Sequence, residues 1–224
     1  MPVISFVSSK GGVGKTTGSV VLAGELLQSG RRVILIDADP NKPLLAWQSL
    51  QALPDGLSII ADESAETIID TIDAAREAAD FVIVDLEGTA TDRVGFAVTR
   101  SDLVLIPVQG SMLDANEAAK SVKLVRQMSR VSGRDIPYQL YFSKAAAAIR
   151  ERTTKDISDQ FQANNVPTLE VALIDRAAFR SIFSLGGTLH TLDASDVGGL
   201  GAAKENAFAF AQAAILSLKK RAAA

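Results

Sequence analysis

The chain of 224 residues contains no cysteine and a single histidine. Without cysteine it forms no disulfide framework, and it binds neither an iron–sulfur cluster nor zinc through thiolates. No apolar stretch approaches the roughly 18 residues of a membrane span, and no basic-then-apolar leader opens the sequence, so we expect a cytoplasmic protein. The net charge is only −3, so any attraction to DNA must come from a local basic patch.

Apolar runs alternate with helical patterns along the whole sequence. Several runs, such as 81–84 and 103–106, are continuous and lack polar alternation, which is typical of strands buried on both faces of a parallel sheet. We therefore predict one α/β domain, residues 1–224, with a doubly wound, mostly parallel sheet flanked by helices. Such sheets bind ligands at the carboxyl ends of their strands. The predicted strands are 2–8, 33–37, 57–61, 81–85, 103–108, 137–142 and 168–174, and the predicted helices are 15–29, 43–52, 64–79, 91–100, 113–132, 149–163, 176–184 and 203–220.

Residues 9–17 read Ser-Lys-Gly-Gly-Val-Gly-Lys-Thr-Thr and lie between the first predicted strand and the first predicted helix. A glycine loop in this position can curl so that several backbone N–H groups point at one anion, and the helix N-terminus adds partial positive charge. Lys15 would sit on the outer phosphates, and the hydroxyl group of Thr16 would ligate Mg²⁺. The segment is therefore predicted to bind the phosphates of a nucleotide.

The loop departs from the usual Gly-x-x-x-x-Gly-Lys-Ser/Thr spacing, because Ser9 stands at the first glycine position and Lys10 follows it. The pattern Lys-Gly-Gly-x-Gly-Lys-Thr-Thr resembles the deviant Walker A motif of the ParA/MinD family of ATPases, closest to small ParA-type partition ATPases. The resemblance implies a P-loop NTPase with ATP and Mg²⁺, in which Lys10 reaches across a dimer interface to the other subunit's nucleotide. The nucleotide-binding residues implied in this loop are Lys10, Gly11, Gly12, Val13, Gly14, Lys15, Thr16 and Thr17.

The second predicted strand ends at Asp37, Asp39 lies two residues further on, and Pro40 then turns the chain away. Aspartate at the end of a strand is common as a turn residue or helix cap, but a metal-bound nucleotide also requires nearby carboxylates. The segment resembles the family's switch I motif Asp-x-Asp-Pro. This resemblance implies that Asp39 orients or deprotonates the attacking water and that Asp37 supports Mg²⁺ through a water molecule.

Asp85 ends the apolar run 81–84, which has the form of a Walker B strand, and it would hold a water molecule of Mg²⁺ opposite Thr16. Gly88 could contact the γ-phosphate, and Glu87 is a second candidate for activating the water. The predicted catalytic residues are Lys10, Lys15 and Asp39, and the predicted metal-binding residues are Thr16, Asp37 and Asp85.

Two segments are candidates for contact with the nucleotide base. The segment 173–176 resembles the family's Ile-Pro-Arg segment beside the base, with Asp175 in place of proline, and it implies Asp175 and Arg176 as nucleotide-binding residues. Ser143 and Lys144 follow another predicted strand. The residues alone do not distinguish adenine from guanine, whereas the resemblance implies ATP.

Two further polar residues are predicted to have no catalytic part. Asp114 is predicted at the N-terminal end of helix 113–132, where the helix dipole favours a carboxylate, although a role in nucleotide switching is the alternative. His190 lies in a glycine-rich loop, residues 185–201, and is predicted to be solvated.

The resemblance implies an ATP-hydrolysing switch that dimerises on ATP and partitions plasmid or chromosomal DNA. It would bind DNA non-specifically, associate with the nucleoid when ATP-bound, and be stimulated by a centromere-binding ParB-type partner. The basic residues that are candidates for DNA contact are Arg150, Arg152, Lys155, Arg180, Lys204, Lys219, Lys220 and Arg221.

Three alternatives share the phosphate loop. A MinD-like ATPase would attach to a membrane through helix 203–220, which carries Phe208, Ala211, Ile215 and Leu218 on one face, but the same stripe would dock the helix onto the sheet. A VirC1-like protein would act as an adaptor in DNA transfer. A ligase of the dethiobiotin synthetase type also uses such a loop, but no substrate pocket is readable in the sequence.

Overall fold

The computed structural model describes residues 1–89, 91–145 and 152–222. Its centre is a parallel sheet, and the strands of this sheet in chain order are β1 (Val3–Phe6), β2 (Val33–Ala38), β3 (Leu57–Ala61), β4 (Phe81–Leu86), β5 (Leu103–Val108) and β6 (Tyr138–Phe142). The helices are α1 (Lys15–Gln28), α2 (Pro43–Gln48), α3 (Ile68–Ala78), α4 (Asp92–Arg100), α5 (Met112–Ser132), α6 (Arg152–Ala163), α7 (Ala177–Leu185) and α8 (Leu200–Ala222).

The strand order β3-β2-β4-β1-β5-β6 brings three functional loops together. Strand β4 lies between β1 and β2, with Phe6 paired with Asp85 and Asp37 paired with Asp85 in register. Because the strands are parallel, their carboxyl ends meet at one edge of the sheet. The segments after β1, β2 and β4 are therefore neighbours, although they are far apart in sequence.

Helices cover both faces of the sheet and enclose two apolar cores. Helices α1, α2, α7 and α8 cover one face, where Phe6, Ile83 and Phe210 are fully buried. Helices α3 to α6 cover the other, where Val84 and Ile106 are fully buried. Successive residues of a strand alternate between the two cores, which explains why these strands are continuously apolar. The predicted doubly wound parallel sheet is confirmed.

The predicted strand 168–174 is wrong. Two isolated bridges, Leu140 with Thr168 and Ala145 with Ile174, link this segment to β6 and to the residues just after it, and the interval between the bridges is one residue longer on its own side. Asn206 of α8 takes over the bonding there, because its side chain accepts from the backbone N–H of Ile174 and donates to the carbonyl group of Ala172. The extra residue makes the segment bulge away from the sheet edge.

Other predicted boundaries shift by a few residues. Helix α3 begins at Ile68 rather than at residue 64, because the intervening residues form a turn around the side chain of Asp62, which accepts from Ser64 and Thr67. Helix α8 begins at Leu200, earlier than predicted. Residues 149–151 of the predicted helix 149–163 lie outside the described part of the chain.

The prediction that His190 is solvated is wrong. Its Nε2 atom lies 2.7 Å from the carboxylate of Glu25 on α1, and both side chains are largely buried. Nearby, the indole N–H of Trp47 donates to the carbonyl oxygen of Gly187 at 3.1 Å. The glycine-rich loop is thus fastened to α1 and α2 by side chains more than a hundred residues away in sequence.

The apolar stripe of α8 faces the sheet. Ala211 is buried, and Ile215 and Leu218 pack against the core, whereas Phe208 is exposed. This arrangement favours the docking interpretation of the stripe over membrane attachment. Within the described ranges, no helix has the length and apolar character needed to cross a membrane.

Candidate active site

The loop between β1 and α1 has the shape that its glycines allow. Gly12 and Gly14 adopt φ angles of 70° and 101°, which residues with a side chain rarely adopt. Helix α1 begins directly at Lys15, and its N-cap is Gly14, which has no side chain to bond the first N–H groups. These N–H groups and the helix dipole form a site that suits an anion.

Lys15 lies over this loop. Its side chain is buried, and its ammonium group donates to the carbonyl oxygen of Lys10 at 3.4 Å. Burial lowers the pKa of Lys15, while the negative charges of Asp85, Asp39 and Glu87 oppose that shift. The lysine is therefore placed among acidic groups from the ends of β2 and β4.

Asp85 is held at the base of the site. It is 1% exposed, and its carboxyl group accepts from the hydroxyl groups of Thr16 at 2.6 Å and Ser19 at 3.3 Å. Burial raises the pKa of Asp85 to about 7, against the lowering effects of the Thr16 hydrogen bond and the Lys15 charge. The site thus lacks enough positive charge to keep this carboxylate ionised at low cost.

This donor set fits Mg²⁺. A divalent cation would supply the positive charge that Asp85 lacks, and the hydroxyl group of Thr16 adjoins the same carboxylate. No group of three or more His, Cys, Asp and Glu side chains suited to a metal occurs within the described ranges. Proteins commonly hold Mg²⁺ with one or two carboxylates together with the phosphates of a substrate.

Asp37 has a structural task besides its predicted metal role. Its buried carboxylate accepts from the backbone N–H groups of Leu44 at 2.8 Å and Leu45 at 3.0 Å, and so caps the N-terminus of α2. Burial raises the pKa of Asp37, although these backbone bonds oppose the shift. Because Asp37 pairs in register with Asp85, it also stands beside the predicted metal site.

Asp39 begins the turn after β2. Its Oδ1 atom accepts from the backbone and side-chain N–H groups of Asn41, both at 2.9 Å. This local turn fixes the carboxylate, whose charge acts on Lys15. The structure therefore brings Asp39 near the loop, as its predicted role requires.

Lys10 is engaged within its own chain. Its ammonium group lies 2.6 Å from the carboxylate of Asp114, and the two side chains are 38% and 5% exposed. Burial alone would raise the pKa of Asp114, but hydrogen bonds from Lys10 and Ser111 hold this pKa below its usual value. Asp114 does lie in the first turn of its helix, as predicted. Its partnership with Lys10 was not predicted.

The start of the loop is tied to the same helix. Ser9 donates from its hydroxyl group to Glu117, both to the carbonyl oxygen and to the carboxylate at 2.9 Å, and its backbone N–H donates to the hydroxyl group of Ser121 at 3.1 Å. Serine in place of the usual glycine thus attaches the loop to the first turns of α5.

Glu87 is not free to act as a base. Its carboxylate accepts from the hydroxyl groups of Thr91 at 2.7 Å and Thr89 at 3.0 Å, and from the guanidinium group of Arg93 at 2.5 Å. Burial would raise the pKa of Glu87, but these donors hold it below its usual value. A carboxylate so stabilised is a poor proton acceptor, so the geometry favours Asp39 for that role.

Gly88 makes a close backbone contact with the phosphate loop. A Cβ atom added to it would lie 2.9 Å from the backbone nitrogen of Gly11 and 3.1 Å from the carbonyl carbon of Lys10. Only glycine therefore allows the segment after β4 to lie against the loop after β1.

Arg93 joins the segments that follow β3 and β4, and sequence reasoning missed it. Besides Glu87, its guanidinium group donates to the carbonyl oxygen of Glu63, and it is 8% exposed. The carboxylate of Glu63 in turn lies 2.6 Å from the ammonium group of Lys42, just after Asp39. Nothing local in the sequence marks an arginine in the first turn of a helix as buried.

Of the two segments predicted to contact the base, Ser143 and Lys144 adjoin the phosphate loop, and the segment 173–176 adjoins them. Ser143 donates to the carbonyl oxygen of Val13 at 2.6 Å, and Lys144 to that of Gly12 at 2.7 Å. The backbone N–H of Asp175 donates to the carbonyl oxygen of Ala145, the residue after Lys144, at 2.8 Å. Asp175 pairs with Arg180, and the buried Nε atom of Arg176 has no hydrogen-bond partner among the described residues.

The structure describes the side chains of only some of the residues that are predicted to contact DNA. Arg150 lies outside the described residues, and the side chains of Arg152, Lys220 and Arg221 are not described. Lys155 is on α6, whereas Lys204 and Lys219 stand about 22 Å apart along α8. Arg180 is paired with Asp175.

Comparison with known proteins shows the family to which the chain belongs. A family model described as VirC1 protein matches residues 1–217. The chain belongs to the VirC1 family. It is 38% identical over 213 residues to the ParA protein of Rhizobium radiobacter, a match that covers 95% of this chain and 96% of that protein.

Two solved structures share the fold of this VirC1-family chain at low sequence identity. A McdA variant of Cyanothece in complex with ATP has a TM-score of 0.74 and 16% identity, and covers 95% of this chain and 96% of its own. MinD of Aquifex aeolicus has a TM-score of 0.72 and 18% identity, with the same shares of each chain. The predicted P-loop NTPase fold and the resemblance to ParA/MinD ATPases are confirmed.

The raised pKa of Asp85 gives a pH prediction. In the unfolded chain this carboxyl group ionises near its usual pKa of about 3.9, whereas in the folded protein it ionises near 7. Between these two pH values the folded state binds one more proton than the unfolded chain. The contribution of Asp85 to the free energy of unfolding is therefore fully present below pH 4 and is lost as the pH rises to about 7. Relative to an Asp85→Asn variant, we expect wild type to lose roughly 2–4 kcal/mol of unfolding free energy over this range.

Urea unfolding of both proteins between pH 4 and pH 8, without nucleotide or Mg²⁺, measures this difference. Parallel pH profiles for the two proteins would show that Asp85 is ionised at no cost and would contradict the prediction.

Proposed function

We propose that this protein is an ATP-hydrolysing molecular switch that dimerises on ATP and drives the partition of plasmid or chromosomal DNA. The observation that carries the proposal is the joint placement of Lys15, Thr16 and Asp85 around an open helix N-terminus, with a second lysine, Lys10, at the rim. The names of the relatives support it, because one is a ParA protein and one McdA structure is an ATP complex.

The residues present would carry out phosphoryl transfer by position and charge. Lys15 and the loop N–H groups would bind the phosphates and neutralise the charge that builds on the leaving oxygens. Asp39 would place the attacking water in line. Thr16 and Asp85 would hold Mg²⁺, with Asp37 beside them, and the metal would supply further positive charge to the phosphates.

Lys10 supports a dimer with ATP at its interface. Within one subunit it duplicates the charge of Lys15, so its value lies in reaching the nucleotide of a second subunit. Beside it, Met112 and Leu113 expose apolar side chains, the latter to 64%, and such residues suit a surface that is covered by a partner. We infer that Lys10 leaves Asp114 when the ATP-bound dimer forms.

We further propose that a centromere-binding ParB-type protein stimulates hydrolysis, and that the ATP-bound protein binds DNA non-specifically and associates with the nucleoid. A second candidate function, an adaptor in DNA transfer, is favoured by the match to the VirC1 family. The two functions share the switch and differ in cargo. Stimulation of hydrolysis by a centromere-binding protein would favour partition.

Substitutions at the Lys10–Asp114 pair test the dimer. We expect Lys10→Ala to abolish ATP-dependent dimerisation, since no other lysine occupies its place. Asp114→Asn should lower the protein concentration at which the dimer forms, because separating Lys10 from a neutral amide costs less free energy than separating it from a carboxylate. Light scattering after size exclusion, with ATP and Mg²⁺, measures both.

The control is Asp70→Asn, which removes one negative charge from an exposed position in the first turn of α3 and leaves the Lys10–Asp114 pair in place. A Lys10→Ala protein that dimerises and hydrolyses ATP normally would rule out the action of Lys10 across the interface.

DNA binding in different nucleotide states tests the proposed function itself. We expect the affinity for a labelled duplex of arbitrary sequence, followed by fluorescence anisotropy, to rise with ATP and Mg²⁺ and to stay low with ADP or without nucleotide. Equal affinity in all three states would contradict a DNA-partition switch. Sedimentation with liposomes in the presence of ATP would instead support a MinD-like role.

A further inference from the structure

A groove of about 390 Å³ runs between α5 and α6. Its floor is apolar and includes Val122 and Phe161. Among the described residues that line it, none is acidic. Its polar rim consists of three exposed cations and three exposed amides, Lys123, Arg126, Arg130, Asn116, Gln160 and Asn164.

The three cations form a row along α5. Residues three and four positions apart lie on one face of a helix, so Lys123, Arg126 and Arg130 point the same way. The rise of 1.5 Å per residue spreads them over about 10 Å. A row of this kind matches an extended polyanion better than a compact anion.

Arg126 is oriented without losing its charge. Its Nε and Nη2 atoms donate to the hydroxyl group of Tyr138 at 3.1 and 2.8 Å, and the guanidinium group lies 5.8 Å from the centre of that ring. The acceptor is a hydroxyl group and not a carboxylate, so the contact fixes the side chain and leaves a positive charge facing the groove. The tyrosine therefore serves as a support for the row.

We propose that this groove binds the phosphodiester backbone of duplex DNA. The inference rests on the proposed DNA binding and assigns it a place. Arginine, lysine, asparagine and glutamine are the side chains that donate to backbone phosphates, and here they stand on both walls of one groove. Among the candidates on α7 and α8 whose side chains are described, Arg180 is ion-paired, and Lys204 lies about 22 Å from Lys219 along the helix.

The position of the groove explains a dependence on ATP. The first two turns of α5 hold the phosphate loop through Asp114 and Glu117, which bond Lys10 and Ser9. The later turns of the same helix carry the cation row. An ATP-bound state that releases Lys10 therefore acts directly on the helix that binds DNA.

The test compares pairs of substitutions that remove the same charge. Lys123→Gln combined with Arg130→Gln removes two cations of the row and leaves Arg126 on Tyr138. Arg31→Gln combined with Arg32→Gln, in the turn after α1, is the matched control. A third pair, Lys204→Gln with Lys219→Gln, tests the candidates on α8. The affinity of each full-length protein for a labelled 24-base-pair duplex is measured with ATP and Mg²⁺ at several salt concentrations.

We expect the α5 pair to weaken duplex binding about tenfold or more and to reduce the slope of log affinity against log salt by about 2, near one unit per lost phosphate contact. The two other pairs should stay close to wild type. Calorimetric ATP binding and thermal unfolding should be unchanged in all of them, which separates a lost contact from a lost fold.

Three results would overturn the inference. If duplex affinity falls no further in the α5 pair than in the α8 pair, the α5 row is not the specific DNA site, and the proposed function stands. If the α5 pair loses affinity for polyglutamate but not for the duplex, the groove receives an acidic protein segment. If wild type binds no duplex in the presence of ATP, both the inference and the proposed DNA binding are wrong.

Discussion

The hydrogen bond from Thr16 to Asp85 fixes the first turn of α1 against the end of β4. The strand order makes this contact possible, because β4 lies directly beside β1 and the phosphate loop leaves β1 at the same edge of the sheet. Asp85 is buried there with a raised pKa, near 7. Burial thus makes ionisation of this carboxyl group costly in the folded protein, and a bound cation would lower that cost, which links the fold to its proposed ligand.

Contacts among the loops turn this site into one unit. Gly88 touches the backbone of the phosphate loop, and Arg93 connects Glu87 after β4 with Glu63 after β3, which itself pairs with Lys42 after β2. These contacts therefore connect the segments that follow β1, β2, β3 and β4. Such shared, discrete contacts are what allow a small change at a phosphate to alter a distant surface.

Much of the fold and the centre of the site could be predicted from local sequence. Continuous apolar runs marked β2, β4 and β5 because both faces of these strands are buried. The glycines and Lys15 marked the phosphate loop because close backbone packing around an anion requires them. Asp85 was a candidate because it directly follows the apolar run 81–84, and the structure places it beside Thr16.

The missed features are contacts between residues far apart in sequence. Asn206 replaces the hydrogen bonds of the strand predicted at 168–174, and Glu25 pairs with His190, which no pattern around either residue reveals. Likewise, the local motif around Lys10 gives no sign of Asp114, more than a hundred residues away. Periodicity predicts which face a residue occupies, but not the polar partner it meets there.

Calorimetric titration of the protein with ATP tests the central claim most directly, namely that a magnesium nucleotide binds between Lys15, Thr16 and Asp85. We expect heat from ATP binding with Mg²⁺, weaker binding with EDTA, and loss of binding in a Lys15→Gln variant that unfolds like wild type. Titrations at two temperatures exclude a chance enthalpy of zero. No heat at either temperature with ATP or GTP, or equal binding by the Lys15→Gln variant, would contradict the account.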